Sequence, residues 1–250
     1  LRAGLFRAGG CADAFAQGHS PLARPQDMRL VEYPDQEMMM MNLANQLAGE
    51  LKNTLLTHDT ATLAVPGGTT PGPVFDTLCG TDLHWDRINI MLTDERWVPE
   101  TSPRSNTRLL RERLMVERAA MAHVVPLYRE AEEPEEVLDD LTAALVPNLP
   151  ISVLLLGMGA DGHTASLFPG ADNLAPALQE GAPALMAMRA PGAPEPRITL
   201  TAPVLNGAMS KHVLLTGAEK REALERARQA TRQDAPIRAV WGDATVHWAE

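Results

Sequence analysis

The sequence predicts an α/β fold built on a mostly parallel, doubly wound sheet with helices on both faces. Short apolar runs typical of buried strands alternate with amphipathic helical patterns, which is the chain order of a parallel sheet. Two of the predicted strands end in glycine-rich turns. With 250 residues, 45% of them hydrophobic, the chain can form one large domain or two small ones. We expect a single α/β domain over residues 28–250.

The strands of this sheet are predicted from short runs of apolar residues bounded by glycine, proline or polar clusters. They cover residues 29–33, 60–65, 85–92, 124–127, 151–156, 197–201, 211–216, 236–241 and 245–248. The segment 171–196 is rich in proline and is predicted to be a loop with one short helix and a strand at 184–188.

Helices are predicted between these strands. The longest runs to about residue 56, with Asp35 as its N-cap. Its apolar positions are predicted to be Met38, Met41, Leu43, Leu47 and Leu51, and the run of methionines is interpreted as core filler. Further helices are predicted from Pro71 to 78, from Ser105 or Asn106 to 115, from Pro134 to 145 and from Gly217 to 230, with a helical turn at 202–208.

Residues 1–27 carry no lasting periodicity and are excluded from the fold prediction. A targeting segment was the alternative, but they lack the apolar centre of a secretory signal. We expect a mostly disordered extension. The two cysteines, Cys11 and Cys79, show neither metal-ligand spacing nor a disulfide framework, which is typical of a reducing cytosol and predicts a cytoplasmic protein.

The charge balance limits the partners that the protein can bind. A net charge of -10 argues against a general nucleic-acid or anionic-membrane surface. No apolar run approaches the roughly 18 residues that span a bilayer. Specificity for a phosphate must therefore come from a few basic residues gathered in one place, and the chain has only three lysines.

The strand at 151–156 is followed by Gly157, Gly159 and Gly162, with Asp161 and His163 on the same turn. Because ligands bind beyond the carboxyl ends of strands in open α/β sheets, this titratable pair is a candidate site. The alternative is that His163 merely caps a following helix. A dinucleotide-binding fingerprint is disfavoured, since no acidic residue ends a second strand about 20 residues on.

A second glycine turn follows the strand at 60–65. Gly67 and Gly68 let the backbone approach a ligand, Thr69 and Thr70 offer hydroxyls, and Pro71 starts a helix. This arrangement is typical of an anion site. An ordinary capped turn explains the segment equally well.

Charged residues follow a third strand directly. Asp94, Glu95 and Arg96 are predicted to lie on a loop at the same sheet edge, bounded by Trp97 and Val98. A solvated loop is the alternative. Whether Arg104 and Arg108 face the crevice is not decided by their spacing. Lys220 is predicted to lie one turn into the helix that starts at Gly217.

These groups together describe a pocket with an anion cradle, an imidazole, two carboxylates and a cation. A histidine with its unperturbed pKa of about 6.5 can accept a proton from water at neutral pH, and a neighbouring carboxylate fixes its tautomer. The Gly-x-Ser-x-Gly pattern of a nucleophile elbow is absent, and Ser166 is expected to be hidden by a following helix. The pattern predicts an activated water and no covalent intermediate.

The chain resembles the 6-phosphogluconolactonase family, part of the wider glucosamine-6-phosphate isomerase/deaminase fold group, over about residues 28–248. The motifs that carry the resemblance are 66–71, Trp85 with 94–99, 105–106, 157–170, 197–201 and 217–220. Two departures are small: Thr69 stands where the family usually has serine, and Ala160 where it usually has proline.

The resemblance implies a modified Rossmann fold (NagB/RpiA-like) and hydrolysis of 6-phospho-D-glucono-1,5-lactone in the oxidative pentose phosphate pathway. It implies no metal and no cofactor, a phosphorylated sugar lactone as the only partner, and a monomer or weak homo-oligomer. His163 would be the general base that activates water, and Asp161 and Asp94 would orient either His163 or the sugar hydroxyls. The groups expected to hold the phosphate or ring oxygens are Gly67, Gly68, Thr69, Thr70, Arg96, Arg197 and Lys220. Amides of Gly157 and Gly159 would bind the oxyanion.

Two other functions compete with this one. A sugar-phosphate isomerase/deaminase of the same fold group uses a glutamate five residues after the loop histidine, and here that position is Phe168. A non-catalytic sugar-phosphate sensor of a transcription regulator needs a DNA-reading module, and residues 1–27 are too short and too weakly patterned for a helix-turn-helix.

Overall fold

The structure is a computed structural model that describes residues 28–250; the predictions on residues 1–27 and on Cys11 lie outside this part. The strands are β1 (Arg29–Glu32), β2 (Ala61–Val65), β3 (Ile88–Leu92), β4 (Asp94–Arg96), β5 (His123–Val125), β6 (Val153–Gly157), β7 (Leu185–Met188), β8 (Arg197–Leu200), β9 (Ser210–Thr216) and β10 (Thr245–Ala249). The helices are α1 (Gln36–Leu55), α2 (Gly72–Leu78), α3 (Asn106–Arg113), α4 (Leu138–Leu145), α5 (Leu174–Ala177), α6 (Ala202–Asn206) and α7 (Gly217–Gln229).

Seven strands form one parallel sheet in the order β1-β10-β9-β6-β2-β3-β5. The chain moves outward from β2 through β3 to β5, and then returns to the other side of β2 and moves outward through β6, β9 and β10. The direction of winding therefore reverses between β2 and β6. In sheets of this kind the turns after the two central strands diverge and leave a crevice at their carboxyl ends. The predicted doubly wound α/β fold is confirmed.

The sheet centre is covered on both faces. Every residue of β2 is buried, as expected when helices pack on both sides of a parallel sheet. Helix α1 packs against β2 and β10, and α7 packs against β9 and β10. No helix within residues 28–250 is long and apolar enough to cross a membrane.

A second, antiparallel sheet of order β4-β8-β7 stands beside the first. The sequence prediction treated residues 94–96 as a loop, which is wrong. The three residues form β4, whose backbone pairs with β8 from a segment about 100 residues away along the chain. Such long-range pairing leaves no periodic signal in a strand of three residues.

Helix α1 begins as predicted, because the carboxylate of Asp35 accepts a hydrogen bond from the amide of Met38 at 2.7 Å. Its buried face differs from the prediction, since Met38 and Met41 are exposed. The buried face includes Met39 and Met40 of the methionine run and continues through Leu43, Ala44, Leu47, Leu51 and Leu55. Because 3.6 residues make one turn, Met38 and Met41 fall outside this face.

Parts of the predicted strands 85–92 and 236–241 are 3₁₀ turns. Residues Trp85–Arg87 form one, which precedes β3, and Pro236–Ala239 form the other. Pro236 occupies the first turn of its segment, where its fixed φ suits a helical turn and its missing amide would leave a gap in a strand ladder. The predicted helix at 134–145 divides into a 3₁₀ turn at Pro134–Val137 and α4.

Candidate active site

A cavity of about 250 Å³ lies at the carboxyl ends of β2 and β6, where the winding of the sheet reverses. Six separate chain segments reach it: the twin-glycine turn after β2, strand β4, the start of α3, the turn after β6, strand β8, and the end of β9 with the start of α7. The polar and glycine residues in its wall are Gly67, Gly68, Thr70, Asp94, Arg96, Asn106, Gly157, Gly159, His163, Arg197, Thr216 and Lys220. Most of the predicted site residues therefore share one cavity; Thr69 and Asp161 do not line it.

The imidazole of His163 lines the cavity and is held by Asp161. Nδ1 of His163 lies 2.6 Å from Oδ1 of Asp161, and the same oxygen accepts the backbone amide of His163 at 3.1 Å. Because the acceptor is a carboxylate, we assign the ring proton to Nδ1, which leaves the Nε2 lone pair free. Burial raises the pKa of the Asp161 carboxyl, but the electrostatic interaction and the hydrogen bonds with His163 outweigh this effect, so the pKa of Asp161 lies below its usual value.

The pairing of His163 with Asp161 requires glycine at position 159. A Cβ atom on Gly159 would lie 2.1 Å from Nδ1 of His163 and 2.4 Å from Oδ1 of Asp161. The amide of Gly159 donates to the carbonyl of His163 at 2.8 Å, which closes the turn. This amide is therefore already paired, which argues against its expected use as an oxyanion donor.

The chain after His163 forms a tight turn, and the expected helix is absent there. Thr164 and Leu167 form an isolated bridge, and Ala165 has a φ of 50°, a conformation that residues other than glycine rarely adopt. Ser166 is fully buried by this turn, and its hydroxyl donates to Oδ2 of Asp94 at 2.5 Å. Ser166 is thus hidden as expected, but by a turn that links the histidine loop to β4.

Strand pairing brings the charged groups of β4 and β8 together. Arg96 lies opposite Arg197 in the antiparallel register, and Asp94 lies two residues from Arg96 on the same face. Asp94 is only 6% exposed, with an oxygen 3.8 Å from the Arg197 guanidinium. Burial lowers the pKa of Arg197, and Asp94 opposes this effect. Nε of Arg96 and Nε of Arg197 are buried and have no hydrogen-bond partner in the part of the chain that the structure describes.

Glu95 has a structural role on the other face of β4. Its carboxylate is fully buried and accepts the amides of Asn106 and Thr107 at 2.8 and 2.7 Å. These amides belong to the first turn of α3, so a negative charge caps that helix. Of the two predicted N-cap candidates, Ser105 is the N-cap, and its side chain accepts the amide of Arg108.

The twin-glycine turn is open toward the cavity. Gly68 has a φ of 83°, and a Cβ atom on Gly67 would lie 2.1 Å from the side chain of Asn106. Within residues 28–250, the amides of 67–70 have no hydrogen-bond acceptor. Thr70 lines the cavity, while Thr69 is exposed and its carbonyl accepts the amide of Gly72. The predicted contact of the Thr69 side chain with a ligand therefore has no support in this geometry.

Lys220 lies in the first turns of α7 and lines the cavity. No carboxylate of residues 28–250 lies within 4 Å of its ammonium group. Arg104 and Arg108, whose direction was undecided, do not line the cavity: Arg104 pairs with Glu195 and Arg108 with Glu112.

Three residues near the cavity were not among the predicted site residues. Asn106 was interpreted only as a possible helix cap, but its side chain also donates to the carbonyl of Asp94 at 3.0 Å. Ser166 was considered only as a nucleophile. Phe168 was noted only because it stands where an isomerase has a glutamate, yet its ring contacts that of His163. The glycine-rich motif around His163 could have drawn attention to the last two.

Comparison with known proteins identifies the family. The sequence matches the family of glucosamine-6-phosphate isomerases/6-phosphogluconolactonase over residues 34–248. A 6-phosphogluconolactonase from Mesorhizobium japonicum is 39% identical over 224 residues, which cover 87% of this chain and 93% of that protein. One from Pseudomonas aeruginosa is 37% identical over 234 residues, which cover 92% and 98%.

Structural comparison agrees with these matches. The crystal structure of a 6-phosphogluconolactonase from Shewanella baltica superposes with a TM-score of 0.86 at 31% identity, over 90% of this chain and 98% of that one. On sequence and fold together, the chain belongs to the glucosamine-6-phosphate isomerase/6-phosphogluconolactonase family.

Proposed function

We propose that this protein hydrolyses 6-phospho-D-glucono-1,5-lactone to 6-phospho-D-gluconate, a step of the oxidative pentose phosphate pathway. The observation that carries the proposal is a cationic cavity in an acidic chain. Arg96, Arg197 and Lys220 line a space of about 250 Å³ together with His163, while the whole chain has a net charge of -10. Such a cavity attracts a small anion and offers it a base. The relatives that cover most of the chain carry the lactonase name.

In the proposed reaction, His163 acts as the general base. Nε2 takes a proton from a water molecule as the water oxygen bonds to C1 of the lactone, and the carbonyl oxygen becomes an oxyanion. When the oxyanion collapses, the bond between C1 and the ring oxygen breaks and His163 returns the proton to that ring oxygen. Asp161 stabilises the imidazolium that exists between the two steps.

The phosphate is proposed to lie against the twin-glycine turn and Lys220. The amides of residues 67–70, which have no acceptor among the described residues, are suitable donors for phosphate oxygens. A lysine near the amino end of a helix opposes the helix dipole, and a bound anion would offset that cost. Arg96 and Arg197 complete the positive wall, where they would hold phosphate or ring oxygens.

Asp94 is proposed to orient sugar hydroxyls. Its carboxylate lines the cavity and is held by Ser166 and Thr93, which donate at 2.5 and 3.2 Å. A carboxylate fixed in this way can accept a hydroxyl of the substrate without losing its own orientation.

A coupled assay tests the proposal. Freshly generated lactone and glucosamine 6-phosphate are supplied in parallel, with enzyme-free controls because the lactone also hydrolyses spontaneously. We expect turnover of the lactone above the control rate and none of glucosamine 6-phosphate, since Phe168 occupies the position of the glutamate that isomerisation is expected to need. Turnover of glucosamine 6-phosphate alone would replace the proposal with the isomerase/deaminase activity.

A further inference from the structure

Phe168 stands at the end of the turn that follows His163. The bridge between Thr164 and Leu167 brings its ring back toward the histidine, and Leu167 is fully buried in the core. Phe168 itself is half-buried and does not line the cavity. The Phe168 ring therefore lies outside the cavity wall, and the backbone that precedes it is fixed by the buried Leu167.

The first contact of this ring is with His163. The two ring centroids are 4.2 Å apart, and the planes are inclined by 31°. The hydrogen bond to Asp161 fixes the direction of Nδ1 but leaves the imidazole free to tilt about that bond. Contact with an aromatic ring restricts the tilt. The two contacts together determine where Nε2 points.

The second contact is with Arg197. Its guanidinium carbon lies 5.1 Å from the centroid of the Phe168 ring, within the range of a cation–π interaction. Among the residues that the structure describes, Nε of Arg197 has no hydrogen-bond partner, and the nearest Asp94 oxygen is 3.8 Å away, so its polar contacts restrain the guanidinium only weakly. The aromatic ring is thus in direct contact with a cation that lines the cavity.

We propose that Phe168 is a positioning residue that fixes the position of the His163 imidazole relative to the Arg197 guanidinium. The inference rests on the proposed lactone hydrolysis and deepens it: one ring would couple the group that activates water to a group that binds substrate. Loss of the ring should therefore affect kcat and KM together, because a small misplacement of a base or a binding group is costly.

The test compares Phe168→Leu, which keeps the apolar volume, with Phe168→Tyr, which keeps the ring. We expect Phe168→Leu to lower kcat about tenfold and to raise KM for the lactone severalfold, in line with losing a cation–π contact and the orientation of a base. Phe168→Tyr should retain both values within about twofold. A loss of folded protein alone would lower the apparent kcat and leave KM unchanged, and that result would overturn the inference, as would wild-type values for Phe168→Leu.

Tyr33→Leu is the matched control. Tyr33 also stacks on a histidine, His247, with centroids 5.8 Å apart, but neither residue lines the cavity. This variant should lose stability and keep the wild-type KM. A rise in KM equal to that of Phe168→Leu would show that general loosening of the fold explains both variants, which contradicts the inference.

A readout independent of turnover separates this inference from the proposed function. In NMR spectra, the ring carbon and proton signals of His163 should move in Phe168→Leu and stay close to wild type in Phe168→Tyr, because an adjacent aromatic ring shifts its neighbours. If the wild-type protein fails to hydrolyse the lactone, the proposed function fails, and the NMR comparison still decides the positioning role. Unmoved His163 signals in Phe168→Leu would overturn that role.

Discussion

Nδ1 of His163 lies 2.6 Å from a carboxylate oxygen of Asp161, and that oxygen also accepts the backbone amide of His163. The two bonds join residues only two positions apart, so the turn itself orients the imidazole. The close contact between His163 and Asp161 depends on Gly159, because a side chain at that position would occupy the space that the two residues fill. The free Nε2 atom is then the group available to accept a proton at the cavity.

Asp161→Asn tests the assignment of the tautomer. The amide of asparagine can donate to Nδ1, which would move the ring proton to Nε2 and remove the proton-accepting lone pair. We expect kcat for lactone hydrolysis to fall about 10²-fold or more, with a smaller change in KM. Asp139→Asn, an exposed carboxylate of α4, is the control and should behave as wild type. An unchanged kcat in Asp161→Asn would remove this carboxylate from the mechanism.

Ser166→Ala tests the link between the histidine turn and β4. The buried hydroxyl donates to Asp94, so its loss leaves a buried carboxylate oxygen without its donor. We expect a loss of about 1–3 kcal/mol in the free energy of unfolding and a higher KM, because Asp94 and Arg197 share the cavity wall.

Ser152→Ala is the control for this change, measured by urea unfolding and steady-state kinetics. The Ser152 hydroxyl is also buried and accepts the amide of Thr62 at 3.0 Å, but it does not line the cavity. The Ser152→Ala variant should lose stability and keep the wild-type KM. A wild-type KM in Ser166→Ala would show that the hydroxyl serves stability alone.

Lys220→Met tests the proposed phosphate contact. A hydrogen bond to a charged group contributes about 1.5–3 kcal/mol, so we expect KM for the phosphorylated lactone to rise about 10- to 100-fold. KM for unphosphorylated gluconolactone should change little. Lys52→Met, an exposed lysine at the end of α1, is the control. Equal effects of Lys220→Met on both substrates would contradict a contact with the phosphate.

Two buried histidines outside the cavity, linked to the half-buried Tyr33 and Glu50, predict a pH-dependent stability. Tyr33 Oη lies 2.8 Å from Nδ1 of His247, His247 Nε2 lies 3.0 Å from Nδ1 of His212, and Nε2 of His212 lies 2.8 Å from Glu50. Burial, with a further contribution from His212, lowers the pKa of His247 to about 3. The folded protein therefore keeps this ring neutral at pH values where the unfolded chain protonates it.

The direction in which stability changes with pH follows from this difference in protonation between the folded and unfolded protein. Stability is fully present above the unfolded pKa of about 6.5 and falls as the pH drops from there toward about 3, by up to about 1.4 kcal/mol per pH unit for one proton. Urea unfolding between pH 7 and pH 4 measures the slope. In His247→Phe the slope should correspond to about one proton fewer taken up on unfolding, even though the variant is less stable overall. Equal slopes in both proteins would contradict a neutral His247.

The sequence was sufficient for the features that depend on local chemistry. The N-cap at Asp35, the helix start after Pro71 and the glycine turns after β2 and β6 follow from backbone preferences of a few residues. Alternation of strands and helices then determined the class of the sheet and the edge at which polar groups gather.

Features that depend on distant pairing could not be predicted in the same way. The approach of Arg96 to Arg197 arises from antiparallel pairing of β4 with β8, and the burial of Ser166 arises from a turn with Ala165 at positive φ. The amide of Gly159 was expected to face the substrate, but it closes its own turn. In the first two cases tertiary contacts decide the outcome over local propensity, whereas Gly159 pairs within its own turn.

The most direct test of the proposed mechanism is the turnover of His163→Ala with freshly generated 6-phosphogluconolactone, corrected for spontaneous hydrolysis and compared with His84→Ala, an exposed histidine outside the cavity. The mechanism predicts that kcat falls about 10²- to 10⁴-fold in His163→Ala with a smaller change in KM, and that His84→Ala matches wild type. A nearly normal kcat in His163→Ala would contradict the proposal that this imidazole activates the water.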